Sequence, residues 1–314
     1  MQLASNASRG RYDAAMSFFA ILLALLLEQA RPLSRDNPAH SVFRSWSRWA
    51  RHALDAGQMS HGWLAWGLAV TVPALLSALI FWLLSAIHLL LGFVWLVLAL
   101  YLTLGFRQFS HHFTAIRVAL ESGDEAGARA ALSRWKNADT TTTSREVFLR
   151  QVIDYSVISA HRHVFGVLAC FVVFAALGLG PAGAVAYRLA EHVSRRWTDG
   201  VPGLPEHASN KAARAAWRWI DYAPVRVTAL FFAVVGHFEE AIANWRQEGP
   251  STDNDQLLLA ATAGAMNLRF SQNSLSGGQD APQLAHLAGV VGLVWRSVVF
   301  WLVLLALAMI VRFI

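Results

Sequence analysis

The sequence predicts an all-α fold, a multi-pass transmembrane helical bundle of about 4 to 6 membrane helices with an extramembranous helical layer. Three observations lead there. Of the 314 residues 55% are hydrophobic and only 15% charged, with 13 Trp, a balance that suits lipid and its interfaces better than water. Several uncharged apolar runs approach or exceed the length of one bilayer crossing. The stretch Val164 to Arg188 combines such a run, of roughly 17 residues, with a corner made by Gly178, Gly180, Pro181 and Gly183. Tyr187 and Arg188 then follow as an interfacial aromatic and a cation.

The formal charge is +6 and the pI about 10.1. The arginines flank apolar spans, so anionic lipid headgroups, not nucleic acid, are their expected partners. The one cysteine, Cys170, lies inside an apolar run and forms no intramolecular disulfide, so packing is its expected role.

Residues 1–15 are polar and read as a flexible N-terminal tail, and Met16 as the natural start of the folded protein. Residues 16–314 read as one integral-membrane domain, with extramembranous helical segments at about 107–163 and 189–285. MSFFAILLALLLEQARPL, from Met16, resembles a signal peptide but lacks a small-residue cleavage site after Leu27, which predicts an uncleaved first helix. No organelle-targeting signal is recognisable.

Between Arg31 and Ser60 five arginines interleave with Phe43, Trp46 and Trp49. The spacing of three puts these aromatics on one helical face, as in a helix lying in the membrane interface. Trp63 to Phe106 is apolar for about twice the length of one crossing, and therefore predicts two helices with a turn near Ser85 to His88. His88 there is expected to be a satisfied structural histidine.

Ser122, Gly123 and Asp124 are cap candidates for the alanine-rich helix that follows, and Ser144 for the next. Leu189 to Ala215 reads as loop-rich, Trp217 to Arg226 as a rigid corner at Pro224, and 247–285 as polar. Leu287 to Ile314 is a long apolar span whose one internal charge, Arg296, is a candidate for a partner inside the bundle. By the positive-inside rule the basic segments 28–62 and 107–163 face the cytoplasm. A single crossing at 164–180 puts the basic segment 188–224 opposite them, and a re-entrant element puts it on the same side.

The chain contains no GxxxxGK[ST], HExxH, CxxC or GxSxG, so soluble ATPase, zinc-protease and serine-hydrolase readings have no local support. His161 and His163 are two apart and point to different sides of a helix, so no metal site is predicted. Asp139 with the Thr140 to Thr143 run suits either a phosphate or cation contact or a plain helix entry. Asp221 and Arg226 bracket Pro224, an arrangement for gripping an anion or for locking the corner by an ion pair, and the lock is the simpler expectation.

LGPAGAVAYRL at Leu179 to Leu189 and WIDYAPVRVTALFFAVVGHFEEAIANW at Trp219 to Trp245 resemble the integral-membrane CobD/CbiB superfamily, most closely its AmpE-like branch. The opening from Met16 and NPAH at Asn37 to His40 agree with this. The biosynthetic branch implies adenosylcobinamide-phosphate synthase activity, an ATP- and magnesium-dependent amide formation in the cobalamin pathway.

Against that branch's pattern Asp139 and Thr140 are kept, with Ala138 where an Arg is expected. Ile158 and Ser159 fall at a Glu-Asn pair, Glu191 and His192 at an Asn-Thr, Ser194 at an Asp, and Trp217 and Arg218 near paired Asp. Binding Mg-ATP needs convergent oxygen ligands. With those positions changed, the resemblance implies a sensory or regulatory protein of the bacterial inner membrane, connected with a cell-wall-related ligand or partner protein. No cofactor is then expected, and no rescue of a strain blocked at cobinamide formation.

The biosynthetic enzyme, with ATP and magnesium, is the alternative, and a transporter of an anionic or amphiphilic ligand the second. Asp139, Thr140, Asp154, Tyr187, Arg188, Glu191, Asp221, Arg226 and Arg296 are the candidate ligand-binding residues.

Overall fold

A computed structural model describes residues 2–31, 38–54, 57–136, 144–198, 207–249, 253–267 and 284–313. Among them every regular element is helical. In chain order these are α1 (Gln2–Ala30), α2 (Pro38–Leu54), α3 (Met59–Ile87), α4 (Leu89–Thr103), α5 (Phe106–Glu121), α6 (Glu125–Lys136) and α7 (Arg145–Ala160). A π-turn (His161–Phe165) leads into α8 (Gly166–Ala176), followed by α9 (Ala182–Thr198), α10 (Ala208–Val235), α11 (Phe238–Gln247), α12 (Asn254–Ala265) and α13 (Leu284–Phe313).

Among the described residues three helical stretches are long and apolar enough to cross a membrane, Met59–Ile87, Arg145–Ala176 and Ala285–Val311. Ala15–Ala30 and Leu89–Thr103 are apolar but shorter. At 1.5 Å per residue α4 reaches only about 22 Å, less than the about 30 Å of a hydrocarbon core. The fold class expected from the sequence is therefore the one observed, with an approximate count of membrane helices. Residues 2–15, expected as a flexible tail, are helical within α1.

By contacts the chain divides into two compact units, 1–105 with 162–224 and 305–314, and 106–161 with 225–304. In the first, α3 packs on α2, α4 and α9, α1 on α4 and α8, and α8 on α9. The break between α3 and α4 falls at His88, inside the predicted turn. His88 is extended (φ −159°), its N–H donates to the Leu84 carbonyl, and its side chain accepts from the Leu90 N–H. One histidine thus closes one helix and opens the next, which is why the turn needs neither glycine nor proline.

The glycine-proline corner is present and docked on α3. Gly178 and Gly180 have φ of +76° and +54°, a conformation that side chains with a Cβ disfavour. A Cβ at Gly180 would stand 2.5 Å from the Phe81 ring, and Trp82 Nε1 donates to the Gly178 carbonyl at 2.6 Å. Farther along, a Cβ on Gly183 would collide with the Cys170 carbonyl, so only glycine lets α9 lie this close to α8.

In the second unit α5 packs on α6 and both pack on α7, while α11 pairs with α12, which also meets α7. Asp124 accepts from the Gly127 N–H at 2.8 Å and caps α6. Ser144 accepts from the Val147 N–H and caps α7, as the sequence predicts.

Three readings need correction. Leu189–Thr198, expected as loop, continues α9, and α10 begins at Ala208. Pro224 lies inside α10 instead of forming a corner, because the helix runs on from Ala208 to Val235. Within the supposedly polar 247–285, α12 buries Leu257, Leu258, Ala261 and Ala265, whose spacing of three and four forms one apolar face.

Candidate functional site

Polar residues gather in the first unit where the π-turn, α9 and the N-terminal part of α10 supply them. The five residues His161–Phe165 form the π-turn at the junction of α7 and α8. Such wider turns change the face on which the following side chains emerge. Two of its residues, Arg162 and His163, act electrostatically on Glu191 of α9. The guanidinium of Arg162 lies over the Trp217 ring of α10 at 5.6 Å, and Trp217 in turn meets the Tyr187 ring at 5.1 Å.

Tyr187 and Asp221 are both fully buried. The Tyr187 hydroxyl donates to Asp221 Oδ1 at 2.7 Å, joining α9 to α10. Burial first, and Asp221 second, hold the phenol well above its usual range, so Tyr187 stays a donor at neutral pH. One turn on, Glu191 is 1% exposed and held by two arginines of its own helix. Arg188 Nη1 donates to Glu191 Oε2 at 3.0 Å, and Arg195 Nε lies 2.5 Å from Oε1.

Burial by itself would raise the Glu191 carboxyl. Arg195 and Arg188, with His163 and Arg162 behind them, overcome it and pull the group down to about 2. Glu191 is accordingly a fixed anion and not a proton carrier. Burial also lowers Arg188 against the pull of Glu191. The neighbouring His192 is pushed down to about 4, by burial above all and by Arg188, Arg195 and Arg196, against Glu191. It is therefore neutral at neutral pH and stacks edge-on against Phe43 of α2 at 5.2 Å.

The candidate residues chosen from sequence separate accordingly. Tyr187, Arg188, Glu191 and Asp221 come together. Asp139 and Thr140 lie outside the described residues. Asp154 sits on α7 in the second unit, 3.8 Å from Arg150 Nε. Arg226 belongs to the second unit, and Asp221, in the first, accepts a hydrogen bond from Tyr187. Arg296, expected to find a partner inside the bundle, is exposed and donates from Nε to the Gly292 carbonyl of its own helix at 3.2 Å.

Sequence reasoning missed Arg162, His163 and Arg195. HRH before the central span was visible, but a π-turn leaves no periodicity by which to place it. His161 has another use, its Nδ1 2.9 Å from Thr228 Oγ1 within the second unit.

Three arginines, Arg162, Arg188 and Arg195, outnumber the two carboxyl groups of the cluster, Glu191 and Asp221, which suits an anion bearing a phosphate or carboxylate. Among the described residues no group of three or more His, Cys, Asp or Glu is placed to hold a metal ion. Glu191 is committed to two guanidiniums, and Asp221 accepts from Tyr187. The described residues fit the phosphates of a nucleotide better than the magnesium that accompanies them.

The family model described as CobD/Cbib protein matches residues 18–289. The chain is similar to a Cobalamin biosynthesis protein CobD of Stutzerimonas stutzeri (strain A1501), with 30% identity over 305 residues, which cover 92% of this chain and 96% of that protein. It is also similar to a Cobalamin biosynthesis protein CobD of Chromobacterium violaceum, with 30% identity over 177 residues, 55% of this chain and 52% of that one. No solved structure matches it. The range that the family model matches includes the corner, the central span and the α9–α10 cluster, and the chain belongs to the CobD/CbiB family.

Proposed function

We propose that the protein acts in cobalamin biosynthesis, at the ATP-dependent formation of an amide between a corrinoid carboxyl and an aminopropanol moiety. We place it in the bacterial inner membrane, which it crosses more than once. The observation that carries this reading is the similarity along 96% of a relative named for cobalamin biosynthesis. A protein that keeps only a scaffold for another purpose has less reason to match end to end. The biosynthetic reading is thus favoured over the sensory one expected from the changed acidic positions.

The arginines around Glu191 support the same reading. The charge of Arg188, 14% exposed, is largely dehydrated and so attracts an anionic substrate more strongly than in water. The buried Glu191 holds Arg188 in one orientation and spares an incoming anion the cost of ordering it. ATP, when bound, supplies the activation of the carboxyl. The residues of the cluster bind and orient.

One observation favours a second reading, a regulatory protein on the same scaffold. Glu191 and Asp221 are both engaged by neighbours, and Ile158, Ser159 and Trp217 occupy positions where the resemblance predicts oxygen or amide ligands. Complementation separates the two. Expressed in a strain blocked at cobinamide formation, the chain is expected to restore corrinoid-dependent growth. Accumulation in the membrane without growth would refute the biosynthetic reading and leave the regulatory one.

A further inference from the structure

Two hollows of the first unit share His192 as a lining residue. One is a groove of about 470 Å³ lined by Arg44, Arg48 and Arg51 of α2 and by Arg196 and Trp197 of α9. The other, of about 450 Å³, is mostly apolar, its walls including Val42, Phe43, Leu76, Trp95 and Leu189, with Ser77 and Arg188 among its polar members. Each lies within the about 300–1,000 Å³ of small-molecule sites. His192 lines both.

The groove is built for an anion. Among the described residues four guanidiniums line it and no carboxylate does. Two of the four are braced by the protein itself, Arg51 Nη2 donating to Asn210 Oδ1 at 3.0 Å and Arg48 Nε to the Arg44 carbonyl at 3.3 Å. Trp197 is 3% exposed, and its buried indole N–H has no hydrogen-bond acceptor among the described residues. A buried donor without a partner is costly, and a ligand oxygen would satisfy it. The apolar hollow has a comparable feature in Ser77, 6% exposed, whose buried Oγ is also unpartnered.

We propose that the two hollows form one site for an anionic phospholipid, its phosphate held by Arg44, Arg48 and Arg196 with the Trp197 N–H, and one acyl chain laid along the apolar hollow. Charge selects the headgroup, since guanidiniums bind phosphate oxygens in pairs. The adjoining hollow selects a lipid over free phosphate, which has no apolar part to place there. Val42 and Leu76, on its wall, are themselves exposed, so a chain can enter sideways from the bilayer. The amphipathic α2, with Trp49 exposed beside its arginines, belongs at the level of the headgroups.

The proposal goes beyond the biosynthetic reading and is tested without turnover. The full chain is reconstituted in nanodiscs of phosphatidylcholine with a minority of phosphatidylglycerol and re-extracted in mild detergent. Native mass spectrometry then counts the lipids it keeps. Phosphatidylglycerol is expected to be enriched over its share of the bilayer. Arg44→Gln with Arg48→Gln should lower the enrichment by about tenfold or more, the worth of one charge-assisted hydrogen bond.

Val42→Trp, which narrows the hollow without replacing any arginine, should lower the enrichment too. Excess inorganic phosphate should fail to displace the lipid. Should the double variant lose its monodisperse fold, Arg196→Gln carries the same expectation. Equal retention of the two lipids, or enrichment unchanged in the arginine variants, would overturn the proposal. Displacement by inorganic phosphate together with no effect of Val42→Trp would assign the groove to a free phosphate and overturn it as well.

Discussion

Replacing Glu191 with glutamine removes the anion that offsets Arg188 and Arg195 while keeping the side chain's shape. Arg188 is only 14% exposed, so its charge stays buried without a counter-charge. The carboxyl lies at about 2 instead of its ordinary 4.5. At about 1.4 kcal/mol per pH unit this displacement corresponds to about 3 kcal/mol. Breaking one partner out of a buried ion pair costs a similar about 3–5 kcal/mol.

The sign of the pH dependence follows from the direction. A carboxyl lowered in the folded state stabilises the fold fully above pH 4.5 and loses that contribution as the pH falls toward about 2. Unfolding of the purified protein in mild detergent, followed by tryptophan fluorescence at a series of pH values, reads both effects. The wild type should lose stability through that acid window, whereas Glu191→Gln should be less stable at neutral pH and flatter below. A variant within about 0.5 kcal/mol of wild type at neutral pH, the range of an ordinary surface substitution, would refute the reasoning. So would an unchanged slope in acid.

Three further outcomes are expected. Tyr187→Phe takes one donor from the buried Asp221 and should destabilise by about 1–3 kcal/mol in the same unfolding measurement, with no loss if the 2.7 Å hydrogen bond is inconsequential. Gly183→Val drives a side chain into the Cys170 carbonyl and should cost about 1–3 kcal/mol or prevent accumulation in the membrane, as expression and thermal unfolding would show. Trp82→Phe frees the Gly178 carbonyl from its 2.6 Å donor and should lower stability by about 1 kcal/mol, with faster proteolysis at the corner as the readout.

What the sequence made legible was whatever depends on local pattern. Length and apolar content marked the spans, and the doubled length of Trp63 to Phe106 required the hairpin that His88 closes. Asp124 and Ser144 could be read as caps because a cap acts within its own first turn.

Long-range pairing was the part that pattern could not supply. Asp221 was noticed for its proximity in sequence to Arg226, yet its donor Tyr187 stands 34 residues away. Pro224 suggested a corner, but α10 carries it inside the helix, where a proline removes one hydrogen bond and can be accommodated. The arginines of α2 were readable as an interfacial face, whereas their meeting with Arg196 and Trp197 depends on how α9 packs. Arg296 looked costly inside an apolar span, but a long side chain can bond its own helix and reach the surface.

The central claim is that this membrane scaffold makes an amide bond on a corrinoid. The most direct trial incubates the purified full chain, in lipid nanodiscs, with adenosylcobyric acid, an aminopropanol substrate, ATP and magnesium, and follows the corrinoid by mass spectrometry. The account predicts an ATP-dependent mass increase equal to the amine minus water. Corrinoid recovered unchanged, from protein shown to be folded and beside a cobinamide synthase that converts it, would contradict the account.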